Sequence, residues 1–102
     1  MALNPDSVRR LLEVDRSELD RLKAAANDLE DDSAFQLLNE ATPYYEKAIA
    51  YLDSGKTYDA LMGHFYLEGY LALALGEVKS TEELRKAINE VLGKLPATLK
   101  DE

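Results

Sequence analysis

The chain has 102 residues, no cysteine and 46% hydrophobic side chains, which fits one domain burying a modest core and excludes disulfides and thiolate metal sites. Twenty acidic against twelve basic side chains, a net charge of -8, repel nucleic-acid phosphates and anionic membrane surfaces, so neither is expected as a partner. The longest apolar run, Leu67 to Leu75, is far shorter than a membrane span, and the charged first twenty residues lack a secretory signal; a cytoplasmic, reducing setting is expected.

"LNPDSV" opens the first helix, with Asn4 as N-cap and Pro5 in the first turn, where its missing N–H costs nothing. Val8, Leu12, Asp15, Leu19, Leu22, Ala26 and Leu29 then recur at alternating spacings of four and three, which places them on one helix face. One member of that apolar stripe, Asp15, is an acid. The other faces carry Arg9, Arg10, Glu13, Arg16, Glu18, Asp20, Arg21 and Lys23, an ordinary solvated surface.

"NDLEDDS" marks the boundary to a second helix: its acids Asp28, Glu30, Asp31 and Asp32 are favourable at a helix N-terminus, and Ser33 with Gln36 reads as a capping box. Leu38, Ala41, Tyr45, Ala48, Ile49 and Leu52 keep one phase across Pro43. The preferred reading is a single helix from 34 to 53 kinked at Pro43; the alternative is a fresh helix capped by Thr42.

Gly55 ends that helix as a left-handed C-terminal cap. A third helix is expected from Thr57 to Leu75, stopped by Gly76, and so apolar on most sides that it should be central. Gly63 and Gly69 inside it each cost about 1 kcal/mol relative to Ala, and close approach of a neighbouring helix is the expected reason. Ser80 with Glu83 reads as another capping box, opening a fourth helix with Leu84, Ala87, Ile88, Val91 and Leu92 as its stripe, closed by Gly93 and Pro96. The predicted fold is therefore all-α: an antiparallel bundle of three long helices plus a shorter C-terminal fourth, in one domain over 1–95, with a flexible tail over 96–102.

Gly55-Lys56-Thr57 reproduces the end of a phosphate-binding loop. That loop needs G-x-x-x-x-G-K-[ST] after a buried strand, whereas the first glycine position is Ala50, inside a helical pattern with no strand before it. The stretch reads as a helical corner, and no nucleotide or other cofactor is expected. "YYEKAIAYLDSGKTYDALMGHF" also has the rhythm of a tetratricopeptide hairpin, but it occurs once, and a repeat array needs about three copies.

Tyr44 and Tyr45, Leu52 and Gly55, Ala60, Tyr66, Gly69-Tyr70-Leu71 and Leu75-Gly76 together resemble the core of a family of short archaeal helical-bundle proteins, domain-of-unknown-function family 357. The resemblance covers residues 41 to 78. That family often has an acid just after the Gly-aromatic-Leu step, where this chain has Ala72, so no role of that acid carries over. The resemblance implies an archaeal-type cytosolic helical bundle and no particular activity.

His64 is the single histidine, and Glu68 lies one helical turn beyond it. The pair could form a base with its orienting carboxylate, joined by Asp15 from the first helix. No Glu-x-x-His motif of the di-iron type occurs, so no metal centre is expected. The serines Ser7, Ser17, Ser33, Ser54 and Ser80 mostly fall at helix ends or on exposed faces, and no glycine-serine elbow is present. All six tyrosines lie between residues 44 and 70; neighbours about 100° apart on a helix cannot all point inward. Tyr44, Tyr51, Tyr58, Tyr66 and Tyr70 are the expected interaction residues, since tyrosine combines apolar area with a polar tip. The functional expectation is a non-catalytic module that binds itself as a dimer or another protein through this hairpin. The alternative is an enzyme or small-ligand site at His64, Glu68 and Asp15.

Overall fold

The computed structural model describes residues 3–94. Three helices follow one another: α1 (Pro5–Asp28), α2 (Asp32–Asp53) and α3 (Thr57–Gly93). Each buries a stripe at alternating spacings of four and three residues, which in α2 passes through the half-buried Tyr45. In α1 it is Val8, Leu12, Asp15, Leu19, Leu22 and Ala26; in α2 Ala34, Leu38, Ala41, Ala48 and Leu52; in α3 Ala60, His64, Leu67, Leu71, Ala74 and Val78. Short corners make consecutive helices antiparallel, and the stripes meet along one seam.

Both corners use the same hydrogen-bond pattern. After α1 the Asp31 amide donates to the Ala26 carbonyl and the Glu30 amide to that of Asn27; after α2 the Lys56 amide donates to Tyr51 and that of Gly55 to Leu52. Each closure needs one residue in the left-handed region, Gly55 at φ 78° and Glu30 at φ 55°. Asn4 caps α1 as expected, accepting from the Asp6 amide at 2.9 Å. The cap of α2 is Asp31, which accepts from the Ala34 amide at 3.1 Å. Ser33 lies within α2 and caps nothing, because Asp31 reaches the free amides two residues earlier. The helix runs unbroken through Pro43, and Thr42 does not begin a new one: its hydroxyl donates to the Leu38 carbonyl at 3.1 Å and accepts from Lys23 Nζ at 2.9 Å.

The larger correction concerns the predicted fourth helix. Gly76 does not stop α3, and Ser80 and Glu83 form no capping box; one helix of 37 residues, about 55 Å long, runs from Thr57 to Gly93. A glycine inside a helix costs only about 1 kcal/mol, and nothing in "EVKSTEELRKAINEVL" breaks the backbone hydrogen-bond ladder. The seven-residue register of α3 continues through Thr81 and Arg85, which close the bundle. Thr81 Oγ1 donates to Asp31 Oδ2 at 2.6 Å, and the Arg85 guanidinium donates to the Leu29 carbonyl. Arg85 thereby brings a cation to the end of α1, whose own last turn has no basic residue. Beyond that point α3 leaves its partners behind, and the described molecule measures 68 × 21 × 15 Å. The tail predicted for 96–102, and Pro96 with it, lies outside the described residues.

Of the two interior glycines, Gly63 meets its expectation: an added Cβ would stand 2.9 Å from Ala48 Cβ, so the two helices cross there in contact. Gly69 does not, since an added Cβ would find open space. The phosphate-loop fragment is a corner, with Ala50 in α2 and Lys56 flanking α3, its ammonium 5.9 Å from the Tyr51 ring centroid.

Candidate functional site

The core falls into two apolar clusters. One holds Val8, Leu12, Ala48, Leu52 and Ala60; the other holds Leu19, Leu22, Ala26, Ala34, Leu38, Ala41, Leu67, Leu71, Ala74 and Val78. Asp15 follows Leu12 and precedes Leu19 on the α1 stripe, and His64 follows Ala60 and precedes Leu67 on that of α3. The two polar side chains occupy the layer between the clusters.

There His64 Nδ1 is hydrogen-bonded to Asp15 Oδ2, with both side chains almost wholly buried. On the other edge of the ring, His64 Nε2 stands 3.2 Å from Glu68 Oε1. An imidazolium hydrogen-bonds Asp15 and stands within ion-pair distance of Glu68; a neutral ring held by Asp15 through Nδ1–H leaves its Nε2 lone pair on the side of Glu68. Glu68 is the exposed member, its side chain 55% accessible, so the chain of polar groups runs from the core to the rim. Burial pushes the Asp15 carboxyl above its ordinary range, the His64 hydrogen bond and charge pull it back, and Glu68 adds to the rise. The Phe65 ring lies 5.4 Å from the imidazole, centroid to centroid. Among the described residues no buried side-chain nitrogen or oxygen lacks a partner.

Asp15, His64 and Glu68, the three residues singled out for a polar site, are therefore brought together by the antiparallel packing of α1 on α3. The tyrosines are only partly so. Tyr44 stacks on Tyr66 with centroids 5.7 Å apart and meets Tyr70 at 5.4 Å, which gathers three of them on the α2–α3 face. The hydrogen bond that the Tyr70 hydroxyl gives to Tyr44 holds its proton and pushes it above its ordinary pKa. Tyr51 lines the same groove as Tyr44 and Tyr66, together with Lys47 and Met62. Tyr58, 66% exposed, makes no ring contact with the cluster. His64 lines neither this groove nor the one beside Pro43 and Tyr70.

A second exposed apolar face lies elsewhere. Leu84, Ile88, Val91 and Leu92 are 47–61% accessible, and every residue from Glu82 to Lys94 is exposed. The sequence pattern contains these residues as a stripe, yet a stripe ordinarily signals a buried face. Their exposure follows from the continuity of α3. Leu73, 63% exposed, and Tyr66, 59%, extend the same flank toward the bundle. No helix of the described residues is long and apolar enough to cross a membrane. Comparison of the chain with protein-family models, curated proteins and solved structures finds no match.

Proposed function

We propose that the protein is a non-catalytic cytoplasmic module of self-association, related to the archaeal family resembled by its α2–α3 hairpin, and that it pairs through the outer flank of α3 and the adjoining tyrosine cluster. The observation that carries this reading is the overhang: about 20 Å of helix outside the bundle, with Leu84, Ile88, Val91 and Leu92 uncovered. Uncovered apolar surface of this kind marks interaction sites in small proteins. Charge favours a second copy as the partner. From Glu77 to Lys94 the acids Glu77, Glu82, Glu83 and Glu90 are balanced by Lys79, Arg85, Lys86 and Lys94, in a chain whose net charge is -8. Two overhangs therefore meet without net repulsion, and antiparallel pairing keeps the acidic bundles at opposite ends. Tyr66 and Tyr70 supply amphipathic rings at the bundle end of the flank.

Light scattering coupled to size exclusion over a range of concentrations tests this. A dimer is expected for the native chain and a monomer for Ile88→Glu, which leaves every buried residue intact. A strict monomer at the highest concentration, with no co-purifying protein, would remove the reading.

A second reading, a small-ligand or catalytic site at Asp15, His64 and Glu68, is favoured by the direct bond between the first two and the contact of His64 with the rim carboxylate. The NMR resonances of the single imidazole report directly on any ligand bound there.

A further inference from the structure

We propose that His64 and Glu68 form a binding site for a divalent transition-metal ion of the zinc, cobalt or nickel type, with Asp15 holding the imidazole in position. The proposal does not depend on self-association, and it gives the polar layer a ligand class.

Geometry supports it first. One ligand atom from each of Asp15, His64 and Glu68 lies within 4.8 Å of the others. The Nε2–Oε1 separation of 3.2 Å is close to the about 3.3 Å expected between two ligand atoms sharing a tetrahedral ion at about 2.0 Å each. The ion takes a place between them with little displacement of either side chain, and water fills the remaining positions from the exposed side of Glu68. Asp15 is bonded to Nδ1 and so selects the tautomer whose Nε2 carries the lone pair. That arrangement of carboxylate, imidazole and metal fixes ring orientation and raises ligand basicity.

Electrostatics points the same way. Two carboxylates face one imidazole in a chain of net charge -8. With an imidazolium the three groups sum to one negative charge, part of it desolvated at Asp15; with a neutral imidazole and a divalent ion they sum to zero. Binding to the imidazolium form replaces the proton on Nε2 by the metal and releases that proton to water. The nitrogen donor favours zinc, cobalt and nickel over magnesium and calcium, which prefer all-oxygen sites.

A single histidine and the absence of cysteine make the test unambiguous. Untagged protein is titrated with Zn²⁺ while the His64 ring resonances are followed by NMR, and with Co²⁺ while its visible absorption is recorded. The ring resonances of the native chain are expected to move and saturate. Glu68→Gln, at an exposed position, should weaken binding at least tenfold, and Asp15→Asn by roughly 10- to 100-fold. Glu90→Gln, on the overhang, should leave it unchanged. An unmoved imidazole at millimolar zinc, or equal binding by Glu68→Gln and the native chain, would overturn the proposal; ions held only by exposed carboxylates elsewhere give that result. Repeating the titration on Ile88→Glu separates this site from the dimer, because metal binding should persist when the pairing surface is broken.

Discussion

From Thr57 to Thr81, α3 buries Ala60, His64, Leu67, Leu71, Ala74 and Val78 against two neighbours, whereas from Glu82 to Lys94 the same helix buries nothing. Both halves carry apolar residues at helical spacing, and both rest on an unbroken backbone ladder. The packed half is held by tertiary burial. The free half needs no nucleation of its own, since it elongates a helix already formed, and Glu82 with Lys86 and Glu90 with Lys94 stand four residues apart in the favourable order. An amphipathic stripe thus establishes that a face is apolar; whether the face is covered depends on how far the partner helices reach.

The contrast is sharpest at the buried polar layer. Asp15→Ala should cost about 3 kcal/mol, because it leaves the buried Nδ1 of His64 without its hydrogen-bond partner, whereas replacing Asp15 and His64 together by Leu should cost far less or stabilise. Urea unfolding followed by circular dichroism compares the two. Next comes apolar truncation: Leu67→Ala, fully buried, should lose about 2–5 kcal/mol, and Ile88→Ala on the overhang, at a protein concentration where the chain is monomeric, no more than about 0.5 kcal/mol. Equal losses would mean that the overhang is covered in solution.

Glycine exchange separates the inward face of the packed half from its solvent face. Gly63→Ala forces a methyl group to 2.9 Å from Ala48 Cβ and should lose about 1–3 kcal/mol. Gly76→Ala meets open space and should gain about 1 kcal/mol. The smallest effect is a pH dependence at Asp15. Because the folded Asp15 carboxyl lies above its unfolded value of 3.8, its contribution to stability is fully present below pH 3.8 and is lost as pH rises through the folded value. Asp15→Asn, which resembles the protonated acid, should therefore gain on the native chain as pH rises across that range. Denaturant midpoints measured from pH 3 upward give the comparison.

Particular residues show why some features were legible and others not. Val8, Leu12, Leu19 and Leu22 are readable as a buried face because apolar spacing is a property of the chain alone, and Gly55 is readable as a corner because its type permits the conformation required there. Glu30 performs the same turn after α1 with nothing in its type to announce it. Gly76 and the Ser80–Glu83 spacing carry local stop and start signals, and the continuous ladder overrides both. Asp31 displaces Ser33 as the cap of α2 and also receives Thr81, a contact across 50 residues.

For the candidate site, residue types and one-turn spacing determined that His64 and Glu68 share a side of α3 and that an acid sits at Asp15 in an apolar stripe. Only tertiary packing decided that Asp15 and His64, 49 residues apart, fall in one layer and bond. The physical reason is general to this protein: periodicity and capping are local free energies that a sequence displays along its length, whereas register between helices depends on which burial of all three stripes is best at once. That global choice joined Asp15 to His64, gathered Tyr44, Tyr66 and Tyr70, and left Leu84, Ile88, Val91 and Leu92 beyond the end of the bundle.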